Sequence, residues 1–441
     1  MRKSKFLSVL TATTLALTLA VPTVMPLELT TGVVKAVEVT TTAPSQKIEG
    51  RCGDNAIYSY DKATRTLTIS GTGAMWNGTN YSRLGTVDKI VIGNGITVIG
   101  EDAFAQFNGV GSAEISDTVT TIKSNAFHYL DSITIPKTVR TVETDAFYSV
   151  GKVVVEGDMN NFQYGALGDD VDEVQLKGSA ETLGLALAKV RERDYLSVTI
   201  TKDNNRCRIA NGCLVSSDGK TVYYHISDSN KVTIPDTAVT IKSAAFYNQG
   251  ISEVKLGKNV KTIEPYAFAE NPVSELTTNS KLKKIGRCAF KETNLKKVTL
   301  KSSVAMSPKA FDQKVILTST KSLKSAKTVM TSATFKKNKI NAKFAKLTGA
   351  KGYQVQIKKG GKTYKHFTTK TSIKVKAPKV FKKKYNVSFS YDIDNYTSKI
   401  EGKPAYISVR PYKIVKKNKK SYWNIFLIEY CVIMSCCAKR L

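Results

Sequence analysis

The sequence predicts a mainly β protein, in which a solenoid of short strands and short helical turns is followed by a β-sandwich. The first indication is an apolar pattern ending in Ala-Phe that returns every 20 to 23 residues in the middle of the chain. The second is a change to strict apolar and polar alternation after about residue 322. A period in the low twenties is typical of a solenoid, whereas period-two alternation is typical of strands with one buried face.

The repeat is clearest at residues 89–104, which read KIVIGNGITVIGEDAF. Counted back from Phe104, apolar or small side chains lie at positions −14, −12, −8, −5 and −1. The first two alternate as in a strand, and Gly93, Asn94 and Gly95 then form a turn before a second short strand. The same columns recur before six later phenylalanines, with a slip of one residue in the strand columns of the last: Phe127, Phe147, Phe246, Phe268, Phe290 and Phe311.

One such coil cannot bury its apolar residues alone, so neighbouring coils must stack. Stacking pairs the strands of successive coils and places equal columns on each other, phenylalanine on phenylalanine and isoleucine on isoleucine. We therefore interpret the recurring Phe, Ile and Ala as the core of a scaffold. The Ala at −1 is small, which leaves room for the neighbouring ring.

The repeat is irregular after the first three coils. An imperfect coil surrounds Leu167, and in the next coil residues 184–193 favour a short helix. Residues 201–230 interrupt the repeat, and we interpret them as an insertion. Within them, two apolar runs flank residues 217–220, which is a strong hairpin signal. Residues 52–76 alternate across a turn and predict a second hairpin, which covers the first coil as a cap.

These observations divide the chain into segments. Residues 1–36 combine a basic start, an apolar stretch and a small-residue cleavage site, which predicts a secretory signal peptide. An uncleaved N-terminal anchor is the alternative. The predicted segments that follow are a linker at 37–51, the hairpin cap at 52–87, the solenoid at 88–317 with its insertion at 201–230, the sandwich at 318–420 and an atypical apolar tail at 421–441.

The tail allows three interpretations: a membrane anchor, a last strand of the sandwich, or the product of an altered reading frame. Its apolar run is shorter than the roughly 20 residues that a membrane span needs, and Glu429 interrupts it. The sequence therefore gives no clear transmembrane span. The abrupt change in composition at the start of the tail favours an altered reading frame.

The net charge of +31 is concentrated near the C-terminal end. Residues 321–420 hold 28 Lys and Arg against three acidic residues, which accounts for +25 of that total. A basic surface attracts polyanions such as wall polymers, acidic glycans, anionic membranes or nucleic acid. Because the chain carries an export signal and lacks a basic motif interleaved with aromatic residues, we do not expect it to bind nucleic acid.

The seven cysteines are irregularly spaced and give neither a disulfide framework nor a metal-ligand pattern. Cys207 and Cys213 are close enough in sequence to pair across a short loop, and the sequence leaves that pairing open.

The sequence offers little for catalysis. The three histidines, His128, His225 and His366, lie outside any catalytic or metal-binding motif. Paired carboxylates such as Glu101 and Asp102 fall at coil turns, where solvent-exposed turn residues are expected. We therefore predict that the protein is not an enzyme and has no cofactor or metal site.

The coil pattern resembles the BspA-like leucine-rich repeat family of bacterial surface proteins. The resemblance is carried by residues 232–246, with VTIPD, VTIK and AAF, and by the equivalent string at 133–147. The CGDN at 52–55 and the TLTISGTGAM at 66–75 are similar to the N-terminal cap of that family. Residues 349–356 and 406–412 resemble strands of a fibronectin type III-like domain. The fold implied is a leucine-rich repeat solenoid followed by a fibronectin type III-like sandwich.

The resemblance implies a secreted or cell-wall-associated protein that binds or adheres to host or wall macromolecules. The expected partners are a host or extracellular matrix protein, a glycan or an anionic wall polymer. An alternative function is a structural spacer that the basic C-terminal domain anchors to the anionic wall. The expected binding residues lie at −13, pointing outward, where side chains vary between coils: Glu114, Thr134, Gln175, Thr233, Lys255 and Thr277.

Overall fold

The computed structural model describes residues 47–190, 196–302, 304–307, 309–312, 314–319, 330–336, 339–359, 362–376, 405–417, 420–425 and 430–433. The signal peptide predicted at 1–36 lies outside these residues. The described chain is mainly β, as the sequence predicts, and its repeats form a solenoid of stacked parallel strands.

The N-terminal hairpin covers the first coil. Its strands are β1 Lys47–Arg51, β2 Gly53–Asp61 and β3 Thr66–Met75, paired antiparallel. β1 lies within the segment expected to be a linker. β3 then pairs in parallel with both strands of the first coil, with β4 through Thr66–Ile69 and with β5 near Gly73. Gly71 allows this change of partner, since its φ is 98° and an added Cβ would lie 2.1 Å from the Asn55 carbonyl oxygen.

Six longer strands follow the hairpin, at about one per repeat. Longer strands pair in parallel to form the first major ladder, and the two-to-four-residue strands between them form the first minor ladder. The strands are β4 Lys89–Ile92, β5 Ile96–Ile99, β6 Val110–Ile115, β7 Thr121–Ile122, β8 Leu130–Ile135, β9 Thr141–Val142, β10 Ser149–Val155, β11 Asp170–Leu176 and β12 Ser197–Ile200. Residues at the same repeat position lie opposite each other, as Ile133 and Val153 do at position −14 of their coils. The one helix of the described chain, α1 Leu183–Ala186, is shorter than the segment that favours it.

The insertion separates two hydrophobic cores. It contains three antiparallel strands, β13 Cys207–Ala210, β14 Cys213–Ser216 and β15 Thr221–His225. β15 then pairs in parallel with the strand Thr240–Ile241 of the next coil, β17. Leu214, Tyr223 and Tyr224 pack into the core before the insertion, whereas Cys213, Val215 and Val222 pack into the core after it. The insertion therefore repeats the role of the N-terminal hairpin as a cap, but with both faces buried.

The coils after the insertion form a second major and a second minor ladder. Threonines 221, 240 and 262 are consecutive partners along the minor ladder. The strands are β16 Lys231–Thr233, β17 Thr240–Ile241, β18 Glu253–Lys255, β19 Thr262–Ile263, β20 Glu275–Thr277, β21 Lys284–Ile285, β22 Lys297–Leu300, β23 Ala305–Met306 and β24 Ile316–Ser319.

Stacked phenylalanine rings run through both cores. Ring centroids are 5.1 Å apart between Phe104 and Phe127 and 5.6 Å apart between Phe127 and Phe147. After the insertion, the distances between successive ring centroids are 4.7, 5.2 and 5.1 Å along the stack of Phe246, Phe268, Phe290 and Phe311. Equal columns therefore meet, as the repeat predicts.

Each stack also has a terminal ring that the repeat does not show. Tyr81 lies 5.9 Å from Phe104, and His225 lies 5.4 Å from Phe246.

A left-handed residue precedes each Ala-Phe pair. The residue at −2 has φ between 53° and 61° in seven coils: Asp102, Asn125, Asp145, Ala244, Tyr266, Cys288 and Lys309. Asn and Asp tolerate this conformation best among residues with a side chain. The three coils before the insertion therefore have turns with little strain, while the four after it use residues that rarely adopt this φ.

The C-terminal strands continue from the second core. They are β25 Met330–Lys336, β26 Lys339–Phe344, β27 Lys346–Leu347, β28 Gly352–Lys359, β29 Lys362–Thr368, β30 Ser372–Lys376, β31 Ala405–Lys417, β32 Lys420–Ile425 and β33 Tyr430–Ile433. Two antiparallel sheets result, β25-β26-β30 and β29-β28-β31-β32, the second with β33 paired to β31. Phe344 and Tyr353 contact between them at 4.7 Å.

The C-terminal sheets are joined to the solenoid. β27 pairs in parallel with β24, and Phe344 belongs to the core of the last coils. β32 and β33, which lie almost wholly within 421–441, both pair with β31.

Cys207 and Cys213 are buried free thiols. Cys207 opposes Ser216 and Cys213 opposes Ala210, so they lie three ladder positions apart, about 10 Å along the strands. A disulfide needs Cα atoms within about 7 Å. Burial raises the pKa of Cys207 to about 11 and that of Cys213 to about 12.

We expect Phe268→Ala to lower the free energy of unfolding by about 3–5 kcal/mol, because it leaves a cavity between two stacked rings. Thr277→Ala, at an exposed position in the following coil, is the control and should change it by at most about 0.5 kcal/mol. Chemical denaturation followed by circular dichroism measures both. Equal losses in the two variants would contradict a stack that stabilises the solenoid.

We expect Cys207 and Cys213 to resist alkylation by iodoacetamide at pH 8 in the native protein, because thiolates are the reactive species. Relative to an ordinary thiol of pKa 9.0, the raised pKa of about 11 lowers the thiolate fraction of Cys207 about a hundredfold. Peptide mass spectrometry before and after unfolding in guanidinium measures the protection. Fast native labelling, or a peptide linked through these two cysteines, would contradict it.

Candidate binding surfaces

The six residues expected to bind fall into two separate rows. Glu114, Thr134 and Gln175 lie on the first major ladder, and Thr233, Lys255 and Thr277 lie on the second. All are exposed except Gln175, which is half-buried. The insertion stands between the two ladders in sequence, so the six residues do not form one continuous line of paired strands.

The second row is the more uniform of the two. Its paired residues are Thr233, Lys255, Thr277, Thr299 and Thr318, in register across five strands. In the first row, half-buried Val91 and Val154 interrupt the polar residues. The second row, from Thr233 to Thr318, is therefore a continuous polar surface on a fixed backbone.

Ion pairs accompany the rows. Lys89 lies 2.6 Å from Glu114, Lys152 lies 3.2 Å from Glu173, and Lys231 lies 3.7 Å from Glu253. These pairs are partly exposed to solvent, and surface pairs contribute roughly 0–1 kcal/mol to stability. Glu114 is thus a paired carboxylate, whereas Thr233 and Thr277 present neutral hydroxyl groups.

A polar cleft of ≈ 630 Å³ lies where the insertion meets the preceding coils. Asp158, Asn160 and Glu181 line it from the coils, and Arg206, Ser217 and Tyr223 line it from the insertion. The repeat does not predict this cleft, because the lining residues are up to 65 positions apart in sequence. The only signal in the sequence is that 201–230 breaks the period.

Hydrogen bonds fix the carboxylates of the cleft. Asp158 accepts the Ser179 N–H at 2.7 Å and contacts Arg206 at 3.0 Å. These contacts, the Ser179 N–H foremost, hold the pKa of Asp158 below its usual range. Glu181 accepts the Tyr223 hydroxyl at 3.0 Å and lies 3.2 Å from the Lys242 ammonium group.

Burial and the neighbouring carboxylates shift the pKa values of Tyr223 and Lys242. Burial raises the pKa of Tyr223, and the Glu181 charge raises it further. Burial alone would lower the pKa of Lys242, but the Glu264 and Glu181 carboxylates reverse this and raise it above its usual value. Lys242 is therefore charged at neutral pH.

Asp218 closes the cleft on the insertion side. It accepts the Lys220 N–H at 2.9 Å and the Ser216 hydroxyl at 2.7 Å. The Lys220 N–H and the Ser216 hydroxyl lower its pKa to about 2, so it stays ionised. The turn at 217–220 is thus a hairpin turn that also presents a charged edge.

The histidines lie apart from one another. His225 is buried in the second core, and His366 lies on β29. His128 contacts exposed Tyr148 at 5.3 Å, and burial lowers its pKa. Glu101 and Asp102 lie at a coil turn, as expected. In the part of the chain that the structure describes, no group of three His, Cys, Asp or Glu is placed to hold a metal ion.

The sheet β25-β26-β30 carries closely spaced positive charges. Lys339 and Lys376 are exposed and lie directly opposite each other on neighbouring strands, and exposed Lys343 and Lys374 follow along the same sheet. The sequence has no acidic residue between Asp312 and Asp392. Like charges directly opposite on a sheet are destabilising, so a bound polyanion would relieve their repulsion.

Among the described residues, the structure contains no helix with the length and apolar character of a membrane span.

Solved structures similar to the chain include proteins described as leucine-rich. The pneumococcal vaccine antigen PcpA is 14% identical, with 62% of this chain and 82% of that chain covered and a TM-score of 0.39. A leucine-rich repeat protein from Eubacterium ventriosum is 16% identical, with 63% of this chain and 86% of that chain covered and a TM-score of 0.39. A leucine rich cell surface protein from Faecalibacterium prausnitzii is 15% identical, with 62% of this chain and 88% of that chain covered and a TM-score of 0.39.

No curated protein matches the chain in sequence. The model of the BspA type leucine rich repeat region matches residues 77–168 and 218–341, in six copies. The unmatched residues between these stretches include β13 and most of the segment that separates the two cores. The coils on both sides of the insertion therefore match the model of the BspA type leucine rich repeat region.

Proposed function

We propose that the protein is a secreted or cell-wall-associated adhesion protein that contacts host or wall macromolecules through the second major ladder. The observation that supports this most is the row Thr233, Lys255, Thr277, Thr299 and Thr318, which is polar and in register. The signal peptide predicted at 1–36 supports export.

The row is suited to an extended partner. Neighbouring strands place its side chains about 4.8 Å apart, and buried columns on both sides hold the backbone in place. A fixed surface loses little conformational entropy on binding. The partner chemistry that fits is a protein segment or glycan chain that runs across the strands and exchanges hydrogen bonds with hydroxyl groups.

A second role follows from the basic C-terminal region, which we propose anchors the solenoid to the anionic wall. The opposed lysines Lys339 and Lys376, with no acidic residue nearby in sequence, favour this role. The solenoid would then be a spacer that holds the second major ladder away from the wall. The resemblance of this region to a fibronectin type III-like domain remains a prediction.

We expect the triple variant T233A/K255A/T277A to weaken adhesion about tenfold or more, because it removes three neighbouring polar contacts. The matched control is E114A/T134A/Q175A on the first major ladder, which should change adhesion less. Binding of the purified full chain to immobilised matrix proteins and to wall extract measures both. Equal, unreduced adhesion of the two variants would overturn the assignment to the second ladder.

For the anchoring role, we expect salt at about 1 M to release the protein from cells, since the Debye length there is about 3 Å. The variant K339Q/K343Q/K374Q/K376Q should be released at lower salt than the unmodified protein. Immunoblotting of wash fractions measures release, with sucrose of equal osmolarity as the control. Retention of both proteins at high salt would contradict an electrostatic anchor.

A further inference from the structure

The polar cleft at the insertion is balanced in charge. Asp158 pairs with Arg206, Glu181 with Lys242, and Asp218 with Lys220 at 3.0 Å. Each of these carboxylates therefore has a cationic partner within the chain. A charged ligand would have to displace one of these partners, whereas a neutral ligand would not.

The cleft is also rigid and rich in hydrogen-bonding groups. Ser216, Asp158 and Glu181 already hold fixed positions through their contacts within the chain. Carboxylate oxygens have two lone pairs each, so an oxygen with one hydrogen bond accepts another. Exposed Asn160 and Ser217 add groups that both donate and accept.

Apolar ligands fit this lining poorly. The aromatic residue of the cleft, Tyr223, is buried, with 4% of its surface exposed, and its hydroxyl is directed to Glu181. An apolar ligand would cover the carboxylates and hydroxyl groups without replacing their hydrogen bonds to water, which is costly. A polyhydroxylated ligand replaces those bonds.

We propose that this cleft binds a neutral saccharide of one or two sugar rings. The hydroxyl groups of a sugar donate to Asp158, Glu181 and Asp218, and its oxygens accept from Asn160 and Ser217. The volume of ≈ 630 Å³ falls within the roughly 300–1,000 Å³ of small-molecule sites. This site is separate from the second major ladder and does not depend on the adhesion proposed for it.

The test is binding of the full chain to an array of neutral mono- to tetrasaccharides, with sulfated and uronic-acid oligosaccharides on the same array. Asn160→Trp and Ser217→Trp each place a large side chain in the cleft from an exposed position. Asn108→Trp, at an exposed position outside both the cleft and the second major ladder, is the matched control. Thermal unfolding of each variant verifies that the fold is intact, and titration calorimetry measures the affinity for each bound saccharide.

We expect a neutral saccharide to bind, with an affinity reduced about tenfold or more by either cleft variant and unchanged by Asn108→Trp. Its affinity should change little at about 1 M salt, where exposed charge interactions are screened. Failure of all neutral saccharides to bind would overturn the proposal. So would equal binding by all variants, or binding only of acidic oligosaccharides that high salt abolishes, since that would assign the ligand to the lysines.

Discussion

The stacking of equal columns is the constraint on which the rest of the solenoid depends. Phe246, Phe268 and Phe290 repeat at 4.7 and 5.2 Å, close to the spacing of paired strands, about 4.8 Å. One ring per coil therefore fits the strand repeat without strain along the stack. Because the rings fix the register, they also fix which side chains point outward. The uniform row from Thr233 to Thr318 is thus a consequence of the core.

Sequence periodicity predicts most of this architecture, because each coil repeats the same local environment. The columns before Phe104, the hairpin at 217–220 and the mainly β class all follow from local patterns. What the period cannot give is a contact made once. Tyr81 and His225 end the ring stacks without occupying the Phe column, and the cleft joins Asp158 to Tyr223 through tertiary structure alone. The division of the six outward residues into two rows likewise depends on how the insertion pairs.

The two halves of the charge distribution work differently. In the solenoid, carboxylates and ammonium groups meet within the structure, as Glu181 and Glu264 do at Lys242. In the C-terminal sheets, Lys339 faces Lys376, and the sequence has no acidic residue between Asp312 and Asp392. Charges paired within the solenoid leave recognition there to shape and hydrogen bonds, while the closely spaced lysines give long-range attraction that salt can weaken.

The insertion has a consequence for how such a chain can change in length. Leu214 and Tyr224 complete one core, and Val215 and Val222 complete the other, so each block of coils ends against the insertion and not against the coils of the other block. Duplication or deletion of a coil of about 22 residues inside either block would preserve the periodic stacking and leave the insertion unaltered. The block after the insertion could therefore lengthen its outward row during evolution, while the cleft between the insertion and the preceding coils keeps its residues.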